Sequence, residues 1–362
     1  MRGRRVLAIS TLLLATACSS GSESSSESTR ESTGESTRDS APMASSESTV
    51  VEPTAPETVD TGSPADPPIA HQSPVLEVTP GPCAATIAPG STDHTLERAE
   101  GVRQFVLHRP DTPDGRRLPL VVDLHGTTGN PAAQEAISGF GARGVETGAW
   151  ITMTPLALGA MTAWAVPGAI PGDDLGFIED AIVQIVNDAC VDPARIYATG
   201  ISSGGAMSAY LGCESSLFAG VAPVAGVNLV RRCETSTPVT LVAFHGTADR
   251  YVPIEGLDGW NTDAFADPRK FYRGDLMGTV ESWARRDGCA DEATVTPMGP
   301  VTDRYEWEKC ASGTEVVLYL STGAGHTHPG ASFPADDSSS VGAVARDIDA
   351  TDLIAREFGL IT

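Results

Sequence analysis

One serine of this chain lies in a pattern that could make it a nucleophile. The run Gly200-Ile201-Ser202-Ser203-Gly204 follows a predicted strand over residues 195–199 and fits G-x-S-x-G, in which a serine stands at a sharp turn from a strand into a helix. Such a turn strains the backbone of the serine, so the residues two before and two after it must be small. The N–H groups that begin the helix would face an oxyanion formed beside Ser202. The pattern predicts that Ser202 attacks an acyl carbon.

An acid and a base follow Ser202 at the ends of two further predicted strands. Asp249 comes after the apolar run 239–246, and His326 lies in a glycine-rich loop after the run 316–321. Because the carboxyl ends of parallel strands meet at one edge of a sheet, these side chains can converge there. In that arrangement His326 takes and returns the serine proton, while Asp249 fixes the imidazole tautomer and stabilises the imidazolium.

Other acids and imidazoles compete for these roles. Asp258 and Asp263 lie deeper in a loop rather than at a strand end, and His328 and His245 are rival bases. His328 either lines the substrate pocket or is a solvated turn residue. For His245 and His125, which each end a strand before a glycine, we expect a hydrogen-bonded structural role. A zinc site at the two histidines 326 and 328 is not favoured, because no carboxylate motif accompanies them, and no metal or organic cofactor is implied.

Two loops are predicted to complete the site. An oxyanion hole needs one backbone N–H from the residue after the nucleophile, here Ser203, and one from a loop after an early strand. The turn over residues 125–129 suits the second donor, through the N–H of Thr127. Trp164 is either a buried anchor or an aromatic wall of the substrate cleft, and its irregular Gly/Pro-rich surroundings favour the wall.

Strands and helices alternate along the chain. This alternation predicts a single α/β domain, a doubly wound, mostly parallel sheet with helices on both faces. The continuous apolar run 118–126 is typical of a central parallel strand that is covered on both faces. Predicted strands cover residues 103–108, 118–126, 150–155, 195–199, 220–226, 239–246 and 316–321; predicted helices cover 131–146, 174–189, 206–211, 277–286 and 341–358.

The N-terminal quarter has a different composition. A basic start and an apolar run of about ten residues predict a signal peptide over residues 1–17, since a transmembrane helix needs about 20 apolar residues. Small residues before Cys18 resemble a bacterial lipobox, so we expect a lipidated Cys18, with plain secretion as the alternative. Residues 18–82 are rich in Ser, Glu, Thr and Pro and predict a disordered tether. The folded domain is expected over residues 83–362.

Charge and cysteine content limit the possible partners and chemistry. The net charge of −23 argues against nucleic acid, which normally needs a basic patch. Six cysteines follow Cys18, an even number that in an exported chain predicts disulfides with fifteen possible pairings. No C-x-x-C occurs, so zinc or thioredoxin-like chemistry is not expected. Nothing in the sequence indicates an oligomeric state.

Seven motifs, in chain order, resemble one family. They lie at residues 123–126, 173–178, 191–197, 200–207, 217–226, 244–249 and 325–330. From about residue 100 to the C-terminus the chain looks like the polyhydroxybutyrate depolymerase and feruloyl/acetylxylan esterase group. The resemblance implies an α/β-hydrolase fold, which uses the chain order serine, acid, histidine, and ester hydrolysis by Ser202, Asp249 and His326. His328 stands where the family usually has a tryptophan, and this departure bears on substrate preference.

The resemblance also implies two disulfides and a function. Cys289 would pair with Cys310 and Cys213 with Cys233, leaving Cys83 and Cys190 over. The expected function is an exported serine esterase acting on small or oligomeric esters, either hydroxyalkanoates or the feruloyl or acetyl esters of polysaccharides, with membrane contact only through the lipid on Cys18. The alternatives are a serine peptidase or other acyl hydrolase on the same fold, and a catalytically silent surface lipoprotein that binds a ligand.

Overall fold

A computed structural model describes residues 71–112, 114–166, 172–230, 233, 237–256, 274–332 and 339–362. The predicted signal peptide, Cys18, residues 18–70 of the predicted tether and the rival acids Asp258 and Asp263 lie outside these residues. Within them, every helix is too short or too polar to span a lipid bilayer.

The described residues form a ten-stranded sheet. The six central strands, in the order β4-β3-β5-β6-β7-β10, are parallel, while β1 and β2 at one edge and β9 and β8 at the other are antiparallel additions. The strands are β1 (Gly90–Arg98), β2 (Gly101–Arg109), β3 (Leu118–Leu124), β4 (Ile151–Pro155), β5 (Val191–Ile201), β6 (Gly220–Val224), β7 (Thr240–Gly246), β8 (Thr294–Pro297), β9 (Thr302–Trp307) and β10 (Val316–Ser321).

Helices cover both faces of the sheet, which confirms the predicted doubly wound α/β class. They are α1 (Pro131–Ser138), α2 (Phe140–Thr147), α3 (Asp174–Ile185), α4 (Ser203–Glu214), α5 (Leu276–Arg286) and α6 (Ala350–Glu357). Side chains of α3, α4 and α5 share one buried cluster with Leu120 and Val122 of β3, whereas Phe140 and Ile354 share a second with Val121. Successive residues of β3 point to opposite faces, so this strand is apolar throughout because it contributes to both cores.

Two predicted helices differ from those observed. The stretch 131–146 is two helices, because Gly139 adopts a left-handed conformation (φ 68°) that ends α1 and begins α2. The predicted helix 341–358 begins only at Ala350, where the Asp349 side chain accepts from the backbone N–H of Asp352 and caps the new helix. In both cases the apolar spacing continues past a residue whose backbone or side chain sets the boundary.

The segment 71–82 packs on the domain, so the predicted boundary at Cys83 is too late. Leu76 and Val78 lie half-buried against the core. Asn187 donates to the Glu77 carbonyl (2.9 Å) and accepts from the Thr79 N–H (3.0 Å). His71 contacts the buried carboxylate of Glu179 across 2.8 Å. We refer to residues 71–82 as the strap.

The six described cysteines form three disulfides. Cys213 is bonded to Cys233 and Cys289 to Cys310, the two pairs that the resemblance implied. Cys83, just after the strap, is bonded to Cys190 at the start of β5, 107 residues later. The two cysteines that the resemblance left over thus join the N-terminal segment to the centre of the sheet.

Candidate active site

Ser202 occupies the turn between β5 and α4 in a strained conformation. Its φ of 59° and ψ of −120° are unusual for a residue with a Cβ and carry a cost of order 1–3 kcal/mol. The Ser202 N–H donates to the carbonyl of Val224 (3.0 Å), and its own carbonyl accepts from Ala206 (2.9 Å). A side chain at Gly200 or Gly204 would collide with the carbonyl of Leu124. The glycines therefore let α4 turn back directly over β3 and leave Ser202 at the tip.

Asp249 and His326 are joined by a hydrogen bond at the same edge of the sheet. The Nδ1–H of His326 donates to Oδ2 of Asp249 across 2.7 Å, and the Asp249 side chain is fully buried while that of His326 is 10% exposed. β7 and β10 pair in parallel with Gly246 opposite Ser321. The acid three residues beyond β7 and the base five residues beyond β10 consequently leave the sheet side by side.

The Asp249 carboxylate is held from several sides. Its Oδ1 accepts from the backbone N–H groups of Tyr251 (2.9 Å) and Val252 (2.8 Å). Burial raises the pKa of Asp249, but the hydrogen bond and charge of His326 and the nearby His245 outweigh burial and leave that pKa below its ordinary value. The Asp249 carboxyl group is therefore ionised at neutral pH.

The predicted oxyanion loop lies against Ser202. Leu124 of β3 pairs with Gly200 of β5, and a Cβ placed on Gly126 would lie 3.5 Å from the Ser202 Cβ. The neighbouring Thr128 is left-handed (φ 63°) and donates its N–H to Met161 (2.7 Å). Among the described residues the Thr127 N–H has no acceptor, and the N–H of Ser203 begins α4, where helical N–H groups lack partners. Both predicted oxyanion donors thus lie beside the elbow with unpaired N–H groups.

Trp164 supports this loop rather than lining a cleft, so its predicted role as an aromatic wall is wrong. The side chain is 1% exposed. Its Nε1–H donates to the carbonyl of His125 (2.8 Å), and the two rings lie 5.0 Å apart. His125 in turn accepts from the Ala157 N–H at Nε2 (3.2 Å) and donates from Nδ1 to Gly126 (2.8 Å). The two rings together support the predicted oxyanion loop, and His125 has the hydrogen-bonded structural role expected of it.

His328 is buried away from the nucleophile. It is 2% exposed and borders a cavity of about 160 Å³ between the α1–α2 junction and the start of α6, with Arg143 and Asp349 in its wall. None of the three candidate catalytic residues is among the described residues that line this cavity. Burial lowers the pKa of His328 to about 4, although the charge of Asp349 acts in the opposite direction. The structure therefore gives His328 a packing role, against the prediction that it binds substrate.

Two further residues lie at the site: Tyr251, which the sequence did not single out, and His245, which was a rival base with an expected structural role. Tyr251 is 44% exposed, and its ring centroid lies 5.3 Å from that of His326. His245 was expected to be purely structural, yet its Nε2 lies 3.6 Å from Oδ2 of Asp249. The sequence offered one signal, because these residues lie two positions after and four positions before Asp249. Only the conformation of the turn shows that both side chains face Asp249 and His326.

Comparisons with known proteins show the family of the chain. No protein-family model matches the chain. The chain is 32% identical over 259 residues to "Probable feruloyl esterase C" of Aspergillus clavatus, a match that covers 67% of this chain and 85% of that protein. It is also 32% identical over 220 residues to "Feruloyl esterase B" of Piromyces equi, covering 58% of this chain but only 40% of that longer protein. An acetyl xylan esterase structure from Aspergillus awamori superposes with a TM-score of 0.51 and 14% identity, covering 75% of this chain and all of that one, which shows a shared fold.

Proposed function

Since the chain belongs to the feruloyl esterase group and has the fold of an α/β-hydrolase, we propose that this carboxylic ester hydrolase acts through an acyl-enzyme on Ser202. The observation that carries the proposal is the 2.7 Å hydrogen bond from His326 to Asp249. It leaves Nε2 of His326 as the basic nitrogen, at the sheet edge where Ser202 stands on its strained turn.

The reaction proceeds in two steps, acylation of Ser202 and hydrolysis of the acyl-enzyme. In the first, Oγ of Ser202 attacks the acyl carbon while its proton passes to Nε2 of His326; the ester C–O bond then breaks and the alcohol leaves with that proton. In the second, His326 removes a proton from the water that attacks the acyl carbon; the bond between that carbon and Oγ of Ser202 then breaks, Oγ takes the proton from Nε2, and the carboxylic acid leaves. The N–H groups of Thr127 and Ser203 stabilise the oxyanion in both steps.

The mouth of the site favours an ester with an apolar group. Two large side chains that contact it are exposed, namely Tyr251 and Met161. Met161 is joined to the oxyanion loop through its carbonyl, and Tyr251 contacts the catalytic imidazole. An aromatic ring can stack on another ring at such a spacing. Of the three substrate classes, phenolic esters such as feruloyl groups suit these surfaces best, in line with the names of the relatives.

We further propose that the enzyme works outside the cytoplasm. The three disulfides are typical of chains that fold in an oxidising compartment, and the N-terminal sequence matches a signal peptide followed by a lipobox-like cysteine. Fractionation of cells that express the wild-type chain or Cys18→Ala tests the anchor: the wild type should stay with the membrane and the variant should be released.

Hydrolysis of a small ester panel tests the proposed chemistry. The panel holds p-nitrophenyl acetate and butyrate, methyl ferulate and a 3-hydroxybutyrate trimer. Ser202→Ala should lower kcat by about three orders of magnitude or more. Ser208→Ala is the matched control, because Ser208 lies buried in α4, the helix that follows Ser202, and among the described residues its hydroxyl bonds only the carbonyl of Gly205; it should stay active.

A fluorophosphonate probe adds an independent readout, since it should label wild type at Ser202 and leave Ser202→Ala unlabelled. If the folded wild type hydrolysed no ester of the panel, or if Ser202→Ala matched it, the proposal would be wrong. A peptidase or a binding protein would then be the better interpretation.

A further inference from the structure

A second imidazole faces the catalytic acid. His245 is the last residue but one of β7 and is 2% exposed. Its Nε2 lies 2.8 Å from the carbonyl oxygen of Val252 and 3.6 Å from Oδ2 of Asp249. The Asp249 carboxylate oxygen that receives the His326 hydrogen bond is therefore flanked by His245 on another side.

The hydrogen bond to Val252 fixes the tautomer of His245. A carbonyl oxygen can only accept, so the proton is on Nε2 and Nδ1 carries a lone pair. Within the described part of the chain this buried Nδ1 has no hydrogen-bond partner. Burial lowers the pKa of His245, and the charged groups that act on it are Asp249, which raises that pKa, and His326, which lowers it. An unpaired buried nitrogen is unfavourable, so simple packing does not account for a histidine here.

The contacts of Val252 show what His245 does. The Val252 N–H donates to Oδ1 of Asp249 (2.8 Å), while the Val252 carbonyl accepts from His245. The same turn is closed at its start by the Asp249 N–H, which donates to Gly246 (3.2 Å). His245 thus ties the far end of the turn back to β7, the strand from which the turn departs.

We propose that His245 is a positioning residue for the catalytic acid. By holding Val252 it keeps the turn 246–252 closed, and the closed turn aims Oδ2 of Asp249 at Nδ1 of His326. This inference rests on the proposed catalytic roles of Ser202, Asp249 and His326.

Two substitutions separate positioning from packing. In His245→Leu the donor to Val252 is lost, whereas in His245→Gln the side-chain amide can still donate. We expect His245→Leu to lower kcat about tenfold to hundredfold with little change in KM, a loss typical of partners one contact removed from the reacting groups. The acid limb of the kcat/KM profile should move to lower pH, because a loosened Asp249 holds the His326 imidazolium less well. His245→Gln should recover most of the activity and the wild-type acid limb.

Trp150→Phe serves as the matched control for lost stability. It removes a buried N–H that donates to the carbonyl of Phe140 (3.2 Å), and Trp150 has no part in the site. It should lower the midpoint of urea unfolding while the pH profile stays in place.

Two results would overturn the positioning role. One is a His245→Leu enzyme with the kcat and acid limb of wild type. The other is an equal loss of kcat in the His245→Leu and His245→Gln variants that parallels their loss of stability, while the acid limb of the kcat/KM profile stays at the wild-type pH. Ser202→Ala, assayed in parallel, distinguishes this failure from that of the proposed function: an active Ser202→Ala rejects the function, while an inactive one with an unaffected His245→Leu rejects only the role of His245.

Discussion

The Nδ1 atom of His326 and the Oδ2 atom of Asp249 lie 2.7 Å apart although 77 positions separate the two residues in the chain. Their loops leave neighbouring parallel strands, β7 and β10. The His326 N–H also donates to the Val341 carbonyl (2.6 Å), and Gly325 makes that approach possible because a Cβ there would collide with the same carbonyl. The Asp249–His326 pair is thus positioned by the order of the strands and by one close backbone contact.

Asp249→Asn should abolish most of the activity while the fold remains. The amide keeps the size of the side chain but no longer selects the tautomer with the proton on Nδ1 of His326. We expect kcat to fall by about 10⁴-fold, as in other serine triads, with circular dichroism and the unfolding midpoint close to wild type. Steady-state hydrolysis of p-nitrophenyl acetate measures the effect; a folded variant that loses less than about tenfold in kcat would show that Asp249 is not the catalytic acid.

Trp164→Phe should slow the hydrolysis of every ester to a similar extent. The ring stays, but the hydrogen bond from Nε1 to the carbonyl of His125 is lost and the oxyanion loop loosens. A loss of about tenfold to hundredfold in kcat is expected, since a displacement near 1 Å can cost about 10²-fold. A Trp164→Phe enzyme with a changed KM for methyl ferulate alone would restore the interpretation of Trp164 as a cleft wall.

Tyr251→Ala should raise the KM for methyl ferulate more than the KM for p-nitrophenyl acetate.

Removal of the strap should destabilise the domain. A chain that begins at Cys83 loses the apolar contacts of Leu76 and Val78 and leaves the buried Glu179 without His71. We expect the free energy of unfolding to fall by about 2 kcal/mol from the apolar contacts alone, measured by urea denaturation against a chain that begins at Pro67. Equal stability of the two chains would mean that the strap contributes nothing to the fold.

His328 should make the domain sensitive to mild acid. In the unfolded chain its pKa is near the ordinary 6.5, whereas in the folded protein burial lowers it to about 4. The unfolded state therefore binds the proton first, and the stability that neutral His328 contributes is complete above about pH 6.5 and is lost as the pH falls towards 4.

In His328→Asn the urea midpoint should depend less on pH between about 6.5 and 4 than in wild type, because the titrating group is gone. Denaturation curves at three pH values within this range are sufficient for the comparison. An unchanged dependence in the variant would assign the acid sensitivity to other groups.

The central part of the fold and the candidate catalytic residues could be predicted from local patterns. Short, nearly continuous apolar runs such as that of β3 favour buried strands, and the glycines around Ser202 favour the sharp turn. β1 was missed because the residues that face inward along it, Thr92, His94 and Leu96, include only one strongly apolar side chain. β8, exposed at all four positions, has no apolar pattern to detect.

The missed features at the site depend on contacts between distant segments. The hydrogen bond that decides whether Trp164 lines a cleft or supports a loop is made to the carbonyl of His125, which lies 39 residues earlier in the chain. The strap was missed because Leu76 and Val78 are too few to mark a folded segment, and the polar partners of Glu77 and His71 lie more than 100 positions further along the chain. Such pairings are decided by tertiary packing, on which local composition carries little information.

The Cys83–Cys190 disulfide also determines how the domain bears mechanical load. A force applied to the N-terminal segment would break the weak contacts of the strap one after another, until the Cys83–Cys190 disulfide carried the load. From there the force enters the chain at Cys190, directly before β5, which lies between β3 and β6 in the middle of the sheet. β1 and β2 lie between the two cysteines in the chain and at the edge of the sheet, so the disulfide keeps a force on the N-terminal segment from reaching these edge strands.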